Sequence, residues 1–174
     1  LINDAIVDDT NALDVSNSVA NLQSIAMSAE RLLLANDADN DGTDNILSYE
    51  DLNNLGLIQS TGTNFTDGSS DSDDDFVREV NAVLSDDDVS VTNHADAQAV
   101  IDALEKLNTL ETKTTAEVIE DDKLTADDLN TLGITDSEDG AITESTLIAL
   151  INDAIVDDTN ALDVSNSVAN LQSI

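Results

Sequence analysis

The sequence predicts an all-α protein made of tandem helical repeat modules with short acidic, EF-hand-like calcium loops. Three observations carry this. Apolar residues recur at helical rather than strand spacing, the chain repeats itself at a fixed period, and proline is absent while Gly, Asn and Asp stand between the periodic stretches. Residues 150–174 read LINDAIVDDTNALDVSNSVANLQSI and are identical to residues 1–25, a period of 149 residues. A looser repeat lies inside it. LSYEDLNNLGL at Leu47 to Leu57 matches LTADDLNTLGI at Leu124 to Ile134, AERL at Ala29 to Leu32 parallels LEKL at Leu104 to Leu107, and INDAIVDDT at Ile2 to Thr10 has a counterpart in VNAVLSDDD at Val80 to Asp88.

These repeats divide the chain into a helical module over 1–76 with a calcium loop, a related module over 77–149 with a degenerate loop, and the start of the next repeat over 150–174. A module of about 75 residues is near the lower size limit for a self-sufficient core, so contact with neighbouring units is expected to help. The sequence reads as a window on a longer array. A domain with a swapped or duplicated terminal segment is the alternative.

In chain order, Val15, Val19, Leu22, Ala26, Ala29 and Leu33 are spaced 4, 3, 4, 3 and 4, which predicts one inward face of a helix capped by Ser16 or Asp14. Ser48 with Asp51, and Thr125 with Asp128, stand at capping-box spacing, and each predicts a short helix ended by Gly56 or Gly133. Residues 62–75, rich in Ser, Thr, Gly and Asp, read as the longest loop. From Thr92, Ala99, Val100, Ala103, Leu104, Leu107 and Leu110 predict a second long helix. Thr143 opens a last one with Leu147, Ile148, Leu150, Ile151, Ala154 and Ile155 inward.

Composition narrows the partners. Against 38 Asp and Glu stand 5 Lys and Arg, a formal charge of −33 on 174 residues, with no Cys. Such a surface repels phosphate backbones and anionic lipid, so neither nucleic acid nor membrane insertion is expected, and the apolar runs are too short to span a bilayer. With 40% apolar residues at regular spacing, order is expected despite the charge, with cations present to offset self-repulsion.

The strongest chemical motif is Asp37-Ala-Asp39-Asn-Asp41-Gly42, followed by Glu50. Carboxylates at alternate positions converge on one point when the chain coils around a cation, and glycine permits the sharp turn. This is the pattern of an EF-hand calcium loop, lengthened: the closing acid falls thirteen positions after Asp37 where the standard loop places it about eleven after the first ligand. Asp44 is the alternative ligand to Glu50. A degraded second loop runs through Asp136, Asp139 and Gly140, with Thr135 where the first acid would stand. Other acid clusters at Asp8–Asp9, 71–75, 86–88 and 121–122 read as solvated loops or helix starts.

Catalysis is not expected. His94 is the only imidazole and stands at a predicted helix start without a nucleophile motif, no phosphate-binding Gly-rich loop occurs, and one Tyr with two Phe leaves little for a sugar to stack on.

The LTADDLNTLGIT phrase at 124–135, the half-repeat organisation, the acidic Cys-free composition and the DxDxDG loop together resemble the repeat arrays of giant secreted surface proteins of Gram-negative bacteria, the adhesin-like proteins of the RTX and type I export kind. The resemblance implies extracellular display at the bacterial cell surface, calcium-dependent folding after export, and a stalk role for the repeats, with Asp37, Asp39 and Asp41 as ligands. Thr135 departs from that pattern. The expected function is a calcium-rigidified extender of a surface adhesin. A self-assembling extracellular filament or surface layer is the first alternative, and an acidic calcium-buffering or mineral-binding protein the second. The expected partners are calcium ions and neighbouring repeat units of the same or another chain.

Overall fold

The computed structural model describes residues 18–36, 47–65, 71–136 and 140–157. They form six α-helices: α1 (Ser18–Ala35), α2 (Tyr49–Asn54), α3 (Asp71–Leu84), α4 (His94–Glu111), α5 (Ala126–Thr131) and α6 (Ser145–Asp157), with a 3₁₀ turn at Glu120–Asp122. Among the described residues no strand forms; the one extended pairing is an antiparallel bridge between Thr135 and Ala141. The all-α expectation therefore holds.

The short helices start and stop where their punctuation directs. At α2 the Ser48 hydroxyl accepts from the Asp51 amide at 3.3 Å while the Asp51 carboxylate accepts from the Ser48 amide at 2.9 Å, so two amides without helical partners are satisfied reciprocally. Thr125 and Asp128 do the same for α5, and Asn93 with Asp96 for α4. Both short helices end with glycine in the left-handed region, Gly56 at φ 72° and Gly133 at φ 73°. The following amides fold back, Leu57 N–H onto the Leu52 carbonyl and Ile134 N–H onto the Leu129 carbonyl, each at 3.0 Å. This is a Schellman stop, which a residue with a Cβ adopts only under strain.

One apolar core runs through the described helices. α1 packs on α2, and α4 is the central element, packed against α3, α5 and α6. Leu104, Leu107 and Leu110 of α4 are fully buried. The inward residues expected for α4 are thus buried, Ala99 alone being only partly so.

Three expectations are corrected. The face of α1 that packs is Ile25, Ser28, Ala29, Leu32 and Ala35, whereas Leu22, Ala26 and Leu33 face solvent. Helix α1 is apolar over more than one stripe, and polar contacts select among them: Ser28 and Arg31 both reach the Asp51 carboxylate, at 2.8 and 2.9 Å, which turns their side of the helix toward α2. Second, Leu150 is 61% exposed on α6, while Ile151 and Ile155 are buried. Third, residues 71–75 belong to α3 rather than to the loop read over 62–75, in line with the helix-start reading of that acid cluster. Residues 14–16, also placed in the first helix by its apolar spacing, lie outside the described residues.

Asparagines fasten loops to helices. Asn81 of α3 accepts from Leu47 N–H at 2.9 Å and donates to the Leu47 carbonyl at 3.1 Å and to the Val77 carbonyl of its own helix at 2.9 Å. Asn152 of α6 makes the same three bonds, with Leu124 in place of Leu47 and Ile148 in place of Val77. Asn53 brackets Phe65 as Asn130 brackets Ile142, again through both amide and carbonyl. Asn36, one residue past α1, holds the turn after α3 by donating to the Leu84 and Val89 carbonyls and accepting from Val91 N–H.

Candidate functional site

Of the residues expected to ligate calcium, Asp37, Asp39, Asp41, Asp44 and Asp139 lie outside the described residues. The residues that flank the first loop are held firmly. Asn36 is tied to the Leu32 carbonyl at 3.1 Å and to the turn after α3, and both backbone groups of Leu47 are bound by Asn81. Glu50 stands exposed in the first turn of α2 next to the capping Asp51.

In the second loop Asp136 donates its amide to the Gly140 carbonyl at 2.8 Å and accepts from Gly140 N–H through a carboxylate oxygen at 2.9 Å. A Cβ at Gly140 would lie 3.1 Å from both Asp136 oxygens, so the glycine allows the carboxylate to close over the turn. The bridge from Thr135 to Ala141 brackets the turn, and Ile142, 1% exposed, anchors it in the core. Through that oxygen Asp136 is bonded to Gly140. Among the described residues no group of three or more His, Asp or Glu side chains lies close enough to hold a metal ion.

Two of the acids that meet cations within the described part are the capping residues of α2 and α5. Arg31 reaches both oxygens of Asp51 at 2.9 Å, and Lys106 reaches Asp128 at 2.7 Å. Burial alone would raise the pKa of Asp51, but hydrogen bonds from Ser48, Ser28 and Arg31 outweigh it and hold the carboxyl below its usual 3.8. Asp128 behaves alike: burial raises it, and Lys106 with Thr125 brings the net value below the usual range. Sequence reading found the caps but not their cations. The available signal was that Arg31 and Lys106, two of only 5 basic residues in the chain, occupy the same place in AERL and LEKL.

His94 begins α4 directly after its cap, where it was expected, and is partly buried. A cleft of about 370 Å³ between the turn after α3 and the helices α4 and α5 is lined by Val89, Ser90, Asp96, Val100, Asp127 and Asn130. Its Asp96 is occupied by the cap of α4, where the Thr92 hydroxyl and amide, with Asn93, hold its pKa low. No described helix is long and apolar enough to cross a membrane. Compared with known proteins, the chain matches no family model, no curated protein and no solved structure.

Proposed function

We propose that this chain is a segment of a tandem helical array, a calcium-rigidified extender of an extracellular surface protein. The observation that carries the reading is the identity of residues 1–25 with 150–174, which supports a serial repeat with a period of 149 residues. Recurrence of the Asn81 clamp at Asn152, of the Asn53 bracket at Asn130, and of the Arg31–Asp51 pair at Lys106–Asp128 supports two related modules within each period.

Calcium enters through the acidic loop from Asp37 to Asp44, whose flanking residues are anchored in the core. Extracellular loops of this kind bind with dissociation constants of roughly 10⁻⁴ to 10⁻³ M, so millimolar calcium adds about a kcal/mol per site, and tighter sites add more. Screening of a −33 chain by divalent ions acts in the same direction. The same chain is looser where calcium is scarce, which suits export before folding.

Calorimetric calcium titration with light scattering on the same samples tests this. One or a few saturable sites, with melting raised by calcium and not by magnesium, on a particle that stays monomeric, is the expected result. Growth into long particles would favour the filament reading. Many weak sites without a change in melting would favour an acidic buffer, and absence of binding would remove calcium from the account.

A further inference from the structure

When AERL is laid on LEKL, Ile25, Ala29, Leu32 and Ala35 of α1 fall on Val100, Leu104, Leu107 and Leu110 of α4, and all eight are buried. When Asn81 is laid on Asn152, α3 falls on α6 and Glu79 falls on Leu150. The two pairs of helices then differ in whether one face of the long helix is covered. α3 packs on α4, and the face of α4 that carries Ala97, Ile101 and Asn108 is turned inward: Ala97 is 3% and Ile101 0% exposed, and the Asn108 amide donates to the Glu79 carboxylate at 3.2 Å. Glu79 is itself buried. The same face of α1 carries Leu22, Ala26 and Leu33 and is open, with Leu22 38% and Leu33 53% exposed. The polar pair at the inner crossing, Glu79 with Asn108, therefore corresponds to two exposed leucines, Leu150 on α6 and Leu33 on α1.

We infer that α6 of one copy docks on α1 of the next copy in the crossing that α3 makes on α4, with Leu150 set against Leu33 and with Leu22 and Ala26 on the covered face. This rests on the reading of the chain as serial units and names the contact between them. Sequence order supports the occupant, since residues 150–157 of α6 are identical to residues 1–8, so a following copy begins inside α6 and leads from it to α1 as α3 leads to α4. Exchange of a polar pair for an apolar one also fixes the register. Docking of α3 on the α1 face would bury Glu79 against Leu33 without its amide donor, a costly mismatch.

The chain has no native cysteine, so introduced thiols report the contact cleanly. In the first arm, chains with Leu150→Cys are mixed with chains with Leu33→Cys under mild oxidation, and preferential formation of the mixed dimer over either homodimer is expected. Where association between separate chains is too weak, a two-unit chain, residues 1–149 followed by 1–174, in which position 150 is the first leucine of the second copy, raises the effective concentration. The Leu150→Cys and second-copy Leu33→Cys pair should then bridge on the order of tenfold faster than a pair using Leu34→Cys or Ile119→Cys of the second copy, both exposed but off this face. Equal rates for all three pairs, or a faster Leu34 pair, would overturn the inference. Both arms run in calcium and in chelator: loss of calcium binding with the bridge intact removes only the calcium reading, and loss of the bridge with calcium binding intact removes only this contact.

Discussion

Asp51 concentrates several roles in one carboxylate: it closes the cap of α2, accepts from Ser28, and pairs with Arg31 across to α1. Replacement by Asn leaves shape intact but removes the charge that these donors face, and about 2–3 kcal/mol of stability at neutral pH is the expected loss. The folded pKa lies below the unfolded one, so this contribution is present above the unfolded value of about 3.8 and lost as pH falls through the lower folded value. Urea unfolding of the wild type and Asp51→Asn should therefore differ at pH 7 and converge in strong acid; a difference independent of pH would show that the charge is not what matters. Asn81 and Asn152 make equivalent bonds, and Asn81→Ala or Asn152→Ala each leave both backbone groups of a buried leucine unsatisfied. Each is expected to cost about 2–3 kcal/mol in chemical denaturation, and a much smaller loss at either position would mean that water replaces the side chain there.

At the scale of elements, the two Schellman stops and three capping boxes determine where helices end, and the packing that follows determines how strictly. Gly133 has φ +73°, and a Cβ there would meet Val89 Cγ2 at 3.0 Å and Asp86 Cγ at 3.2 Å, whereas Gly62 has φ +75° with nothing within 4 Å. Gly62→Ala should cost about 1 kcal/mol from the backbone alone, and Gly133→Ala clearly more, since the turn after α3 must also move. Equal losses in thermal melts would contradict this. The short helices were legible in the sequence because Ser48, Thr125 and the following glycines act locally. Helix α4 was legible because its single broad apolar face has only one way to turn. The orientation of α1 was not, because Leu22, Ala26 and Leu33 form as regular a stripe as Ile25, Ala29 and Leu32, and the choice between them rests on Ser28 and Arg31 reaching an aspartate 20 or more residues away. The Asn clamps were hidden for the same reason: their partners lie 34 and 28 residues distant. Of the candidate calcium ligands, only Glu50 and Asp136 lie within the described residues, Glu50 at the start of α2 and Asp136 bonded to Gly140.

The whole molecule carries −33 charges yet encloses one apolar core across its described helices, with ion pairs to Arg31, Lys106, Lys113 and Lys123 among the described residues. On the proposed serial reading such a chain would gain from neighbours, since an added unit would bury an apolar face while its cost in chain entropy stays within that unit. Serial architecture therefore has a thermodynamic signature that a lone domain with a duplicated end lacks. The most direct test is thermal melting of chains of one, two and three units, joined so that the identical residues are shared. The account predicts a midpoint that climbs from one unit to two, by about 2–4 °C for each kcal/mol gained at the junction, with a smaller rise for the third unit; identical midpoints for all three would contradict it.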